Sequence, residues 1–183
     1  MTEDRAMRRI AALLLLCPLA ALAMDDTAAE PAPVSACAAA EYRQFDFWLG
    51  RWNVIADERT VGSNDVRSIH GGCALQENWR GAGADGISGT SLNAYDRATG
   101  RWHQTWIDSG GTLLQLEGGL VDGVMILGGD QPGAGGRRGV RHRISWTPNP
   151  DGSVRQLWEA SQDGGATWSV LFDGLYQPAG ADG

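Results

Sequence analysis

Glu77 and Asp108 are the carboxyl groups best placed to do chemistry in this chain. Glu77 interrupts the strand-like segment Leu75-Gln-Glu-Asn-Trp79, and Asp108 closes Trp102-His-Gln-Thr-Trp-Ile-Asp108. A carboxyl among apolar inward positions is pushed towards its neutral form and can act as a general acid. A second, ionised carboxyl then serves as base, the arrangement used to hydrolyse a sugar or lipid-like substrate. Glu159 alternates with Trp158 and falls on the opposite face, which weakens it as a partner. No Gly-x-Ser-x-Gly elbow, zinc-binding helix or nucleophile dyad is present, so no residue is assigned a catalytic role. Among the imidazoles His70, His103 and His142, alternation turns His142 inward and His103 outward. A lone inward histidine is the usual pattern of a hydrogen-bonded core group, and no cofactor is expected. His70 and Cys73 stand at ligand-like spacing without a second tight pair. Cys37 and Cys73 form an even pair that reads as a disulfide in an exported chain.

Eight tryptophans are the stronger compositional signal, since aromatic rings can stack on a flat ligand or fill a narrow core. Trp79, Trp102, Trp106, Trp146 and Trp158 are the candidates to line a cavity. Glu77, Gln104, His142 and Gln156 share their faces and would orient a ligand by hydrogen bonds. Trp48, Trp52 and Trp168 read as packing residues.

The elements that must position these groups are short strands. Apolar alternation and turn signals predict them at 51–58, 64–70, 73–80, 87–95, 101–108, 112–118, 123–128, 140–147, 153–161 and 167–176. The faces Trp52-Val54-Ala56, Leu75-Glu77-Trp79, Trp102-Gln104-Trp106-Asp108, His142-Ile144-Trp146, Val154-Gln156-Trp158 and Trp168-Val170-Phe172 are expected to point inward. Such a meander predicts an all-β fold. The expected architecture is an antiparallel up-and-down barrel of about 8–10 strands with a short helical turn before strand 1. Closure avoids exposed edges. Gly81-Ala-Gly-Ala-Asp-Gly86 matches the dinucleotide fingerprint in letters, but a strand follows where a helix would be needed. Ser161-Gln-Asp-Gly-Gly-Ala-Thr-Trp168 fits the Asp-box pattern, and a single copy reads as a hairpin turn. The glycine-rich 131–139 segment, with Arg137 and Arg138, reads as an inter-strand loop.

Phe45-Asp-Phe-Trp-Leu-Gly50-x-Trp52 opens this meander with an aromatic turn and a Gly-x-Trp strand. It resembles the opening of calycins, the lipocalin, fatty-acid-binding and nitrobindin-like barrels. Together with Gly72-Cys73, Trp102-His-Gln-Thr-Trp-Ile-Asp108 and Ser161-x-Asp-Gly-Gly-x-Thr-Trp168, it is also similar to small secreted bacterial barrels of unassigned function. The resemblance implies a packing role for Trp52 at the closed end of the barrel, against an arginine for which Arg155 is the candidate. A nitrobindin-like barrel would hold haem through a histidine, but the glycine-rich haem motif is not recognisable here.

Arg8-Arg9, the apolar run from Ile10 to Ala20 and Ala21-Leu-Ala23 have the layout of a signal peptide over 1–23. An Ala/Pro-rich tether is expected over 24–40, the barrel over 41–178 and a flexible tail over 179–183. The net charge of −7 disfavours nucleic acid and anionic membrane as partners. The absence of lysine excludes Schiff-base and P-loop chemistry. The expectation is a periplasmic or secreted barrel that binds a small apolar or aromatic molecule without transforming it. The alternatives are a hydrolase using Glu77 and Asp108, or a scaffold module with a solid core.

Overall fold

The structure is a computed structural model that describes residues 36–133, 135 and 139–180. The expected signal peptide, residues 24–35 of the tether, Arg137, Arg138 and residues 181–183 of the tail lie outside the described residues.

Ten strands form one closed barrel in which every neighbouring pair is antiparallel. They are β1 (Gly50–Ala56), β2 (Arg59–Ile69), β3 (Ala74–Gly81), β4 (Ser88–Asp96), β5 (Arg101–Asp108), β6 (Leu113–Val121), β7 (Val124–Gln131), β8 (Val140–Pro148), β9 (Val154–Ser161) and β10 (Ser169–Pro178). Each strand pairs with its sequence neighbours, and β1 closes the ring on β10. The all-β up-and-down barrel with a helical turn before strand 1 is therefore observed. The dinucleotide-like segment is the β3–β4 loop, with a strand after it.

β2 begins five residues before its expected start. The β1–β2 hairpin turns through Asp57 and Glu58, both at positive φ (47° and 60°). Tight hairpins of this hand normally announce themselves by a glycine. Asp122-Gly123 does so at the β6–β7 turn, where both residues are again at positive φ (49° and 82°). Asp57-Glu58 carries no such mark, so the turn is silent in the sequence.

The segment before β1 folds across one end of the barrel as two helical turns, Ala40–Arg43 and Asp46–Trp48. Phe45 and Trp48 have no exposed surface. Their rings stack at 5.0 Å, and Trp146 packs against both at 5.2 and 5.3 Å. Gly50 then enters β1 at φ 139°, a backbone that only glycine adopts without strain. This turn aims the Trp52 indole back so that its Nε1 donates to the Trp48 carbonyl at 3.0 Å. Trp52 thus seals the plug. Arg155 is not its partner, because it ion-pairs with Asp173 on the outer wall.

The plug is tied down covalently. Cys37 and Cys73 are disulfide-bonded across 36 residues, which contributes about 4 kcal/mol in the chain-entropy model. Beside the bridge, the Arg43 guanidinium donates to the Gly72 carbonyl in the β2–β3 connection. No helix among the described residues is long and apolar enough to cross a membrane.

Candidate functional site

With the plug at one end, the barrel opens at the other, among the β1–β2, β3–β4, β5–β6 and β9–β10 hairpins and the described part of the β7–β8 connection. Between plug and mouth the inward side chains form two layers, one polar and one aromatic.

The deeper layer is polar. Asn64 on β2, Glu77 on β3, Ser91 and Asn93 on β4 and Gln104 on β5 are all buried and face in. Their hydrogen bonds run one way. The Gln104 amide donates to Asn93 Oδ1 at 2.9 Å, the Asn93 amide donates to Ser91 Oγ at 2.9 Å, and the Ser91 hydroxyl donates to Glu77 Oε2 at 2.6 Å. Asn64 donates to the other carboxyl oxygen at 2.9 Å. These bonds converge on Glu77, while the Asn93 amide also donates to the Leu75 carbonyl at 3.4 Å. On the far wall the Tyr176 hydroxyl donates to Gln156 Oε1.

Burial pushes the Glu77 carboxyl up to about 7, against the lowering pull of Ser91 and Asn64. Among the described residues no ion pair includes it. Tyr176 is raised above its ordinary value by burial and by the nearby Glu77 charge.

The layer nearer the mouth is an aromatic collar of Trp79, Trp106, Trp158 and Phe172. Glycine makes room for it. A Cβ on Gly89 would sit 2.3 Å from the Trp106 ring, one on Gly174 2.4 Å from Phe172, and one on Gly62 2.5 Å from Trp79. Each ring thus occupies the volume that a side chain would take, on the adjoining strand for Trp106 and Trp79 and two residues along the same strand for Phe172. Two of the indoles are also pinned: Trp106 Nε1 donates to Asp108 Oδ2 at 3.0 Å, and Trp158 Nε1 donates to His142 Nδ1 at 3.0 Å. Since an indole can only donate, His142 Nδ1 must be unprotonated, leaving Nε2–H for Gln131 Oε1 at 3.3 Å. Burial lowers the His142 pKa and favours this neutral state.

Within the collar lies a cavity of about 250 Å³, with Glu77, Gln104, Gln156 and Tyr176 beneath it. Of the expected ligand-binding residues, Trp79, Trp106, Trp158, Glu77, Gln104 and Gln156 line this space. The expectation for Trp102 and Trp146 is corrected by geometry. Both belong to the plug layer, where Trp102 meets Phe45 at 5.7 Å and donates to Gln44 at 3.1 Å, and Trp146 meets Phe45 and Trp48. His142 is likewise not in the lining; it stands behind Trp158 and holds that ring. Val170 points outward, because a bulge between Val170 and Phe172 breaks the expected alternation with Trp168. Trp168 lies outside the barrel, where the Arg143 guanidinium covers its ring at 4.2 Å.

Asp108 shares the cavity with Glu77 but is committed to its turn. Burial raises its pKa, yet the amides of Thr112 and Gly110 and the Trp106 indole outweigh burial and hold it below the usual range. By register Glu77 is level with Ser91 and Trp106, while Asp108 is one inward position nearer the mouth, level with Gly89. The buried partners Asn64, Ser91, Asn93 and Tyr176 were not anticipated from sequence. The available signal was Glu77 itself, since a buried carboxyl requires donors.

Gly89→Ala tests the collar. The added methyl must displace the Trp106 ring and break its bond to Asp108, with a cost of about 1–3 kcal/mol. Denaturant unfolding is expected to show that loss; a neutral substitution would mean the ring does not depend on its glycine slot.

The chain matches no protein-family model, and no curated protein matches it. Fold and lumen alone define the class: a closed ten-stranded antiparallel barrel, plugged at one end, with a polar-floored aromatic cavity towards the other.

Proposed function

We propose that this is an exported calycin-like barrel that holds one small apolar or aromatic molecule in its lumen without transforming it. The observation that carries this reading is the cavity of about 250 Å³ walled by Trp79, Trp106, Trp158 and Phe172 above Glu77, Gln104 and Gln156. Mostly apolar walls with a few placed polar groups are what small-molecule sites look like. The volume falls just below the roughly 300–1,000 Å³ of typical ligand pockets, which favours a ring-sized molecule over a long acyl chain. A solid-core scaffold has no use for three glycines that draw rings back from the lumen. The Cys37–Cys73 bridge suits a periplasmic or extracellular setting.

Hydrolysis by Glu77 and Asp108 is the second reading, favoured by their shared cavity and their oppositely displaced pKa values. It is the weaker one. A depressed pKa makes Asp108 a poor base, and both of its oxygens already accept hydrogen bonds.

Three collar tryptophans make intrinsic fluorescence the direct assay. Titration with indole and naphthalene is expected to quench or shift the emission saturably, with dodecanoate giving a weaker response. A flat response to all three compounds overturns the binding reading.

A further inference from the structure

Given that the lumen is a ligand site, we propose that its ligand is an organic cation: a protonated amine or quaternary ammonium group on a ring-sized apolar body. Two carboxyl groups, Glu77 and Asp108, border the cavity, and no arginine or histidine is among the described residues that line it. The walls are aromatic faces, whose negative quadrupole attracts a cation and repels an anion. Trp79 and Phe172 stand nearly perpendicular, at 76° and 6.4 Å between centroids, and so form a corner of such a cage.

Four of the lining donors that would welcome an anion are already engaged. Trp106 and Trp158 give their N–H groups to Asp108 and His142. Gln104 donates to Asn93, and the Tyr176 hydroxyl donates to Gln156. What faces the space is therefore mainly ring surface and carboxyl oxygen, with the Trp79 indole and the Gln156 amide as neutral donors. Glu77 is 4% exposed and is held only by the neutral donors Asn64 and Ser91. A buried carboxylate without a counter-charge is costly, and a cation in the collar would supply one. A neutral hydrocarbon would not, and an anion would add a third negative charge. The overall charge of −7 acts in the same direction, drawing cations towards the protein.

Benzyltrimethylammonium and its uncharged carbon isostere, neopentylbenzene, separate shape from charge. Tryptophan fluorescence titration of the whole protein at pH 8 is expected to show the cation binding at least tenfold more tightly. Glu77→Gln should remove most of that preference, weakening the cation far more than neopentylbenzene. If the isostere binds as tightly as the cation, the charge proposal falls and the binding reading stands. If neither ligand alters the emission, both fall.

The wild-type protein provides a second test that needs no variant. Cation affinity should rise several-fold from pH 5.5 to 8.5 while isostere affinity stays level, because ionised Glu77 is the form that attracts charge. Around Glu77, Asn64 and Ser91 do not titrate, Tyr176 is raised above its ordinary range and Asp108 is already ionised. His142, behind Trp158, is held towards neutrality by burial. A cation affinity indifferent to pH over that interval overturns the proposal.

Discussion

Trp48→Ala should destabilise the barrel by about 3–5 kcal/mol, the range for removing a fully buried large aromatic side chain. Trp48 has no exposed surface and touches three other rings: Phe45 at 5.0 Å, Trp146 at 5.3 Å and Tyr176 at 6.2 Å. No neighbour can collapse into the space it leaves. Phe45 and Trp146 are themselves fully buried and packed against each other at 5.2 Å, and the Cys37–Cys73 bridge ties down the plug segment. The Trp48 backbone also carries the carbonyl that receives the Trp52 indole. Phe47→Ala makes the useful contrast, since Phe47 packs against the same cluster but is only partly buried, and its loss should cost markedly less. Chemical denaturation of the two variants decides the matter. A Trp48→Ala loss below about 1 kcal/mol would mean that the plug is an ornament on a barrel stable without it.

The same plug shows what the sequence could reveal. Phe45 to Trp52 is a local signal, because turn, glycine and tryptophan lie within one short stretch, and its role is legible without any long-range information. The strands from β3 to β9 are legible for the same reason, their hairpin turns being marked by glycine or asparagine. The polar layer is not. On β4 the inward residues are Gly89, Ser91 and Asn93, while Leu92, 52% exposed, points out. Its hydrophobic alternation is thus inverted, and only the register with Glu77 and Gln104 on neighbouring strands shows which face is buried. Trp102 and Trp146 mislead for a related reason. Alternation identifies the inward face of a strand, but not depth along the barrel axis, which depends on how far a residue lies from the plug-end turns. Trp102 and Trp146 lie beside the β4–β5 and β8–β9 turns at the plug end, whereas Trp106 and Trp158 lie further towards the mouth.

Glu77 should make the protein less stable as pH rises through neutrality, against the ordinary expectation for a carboxylate. Its folded-state pKa of about 7 lies above the value of 4.5 that it has in the open chain. Between those values the folded protein holds the proton more tightly than the unfolded chain does. The stabilising contribution is therefore complete below about pH 4.5 and is lost as pH rises through 7. The difference corresponds to at most about 3 kcal/mol. His142 acts in the opposite sense, because burial lowers its pKa and its contribution fades as the pH drops below about 6.5. Comparing wild type with Glu77→Gln cancels His142, which is present in both. Glutamine keeps the shape and can still meet Asn64 and Ser91, but it has no charge to bury. The variant should match wild type near pH 4.5 and exceed it by up to about 3 kcal/mol at pH 8.5, read from denaturant midpoints across that interval. Parallel curves would place the Glu77 proton elsewhere and remove the physical reason for a carboxyl at this depth. Divergent curves would mean that the barrel tolerates a destabilising charge beneath its aromatic collar, as a floor kept for an occupant of opposite sign would require.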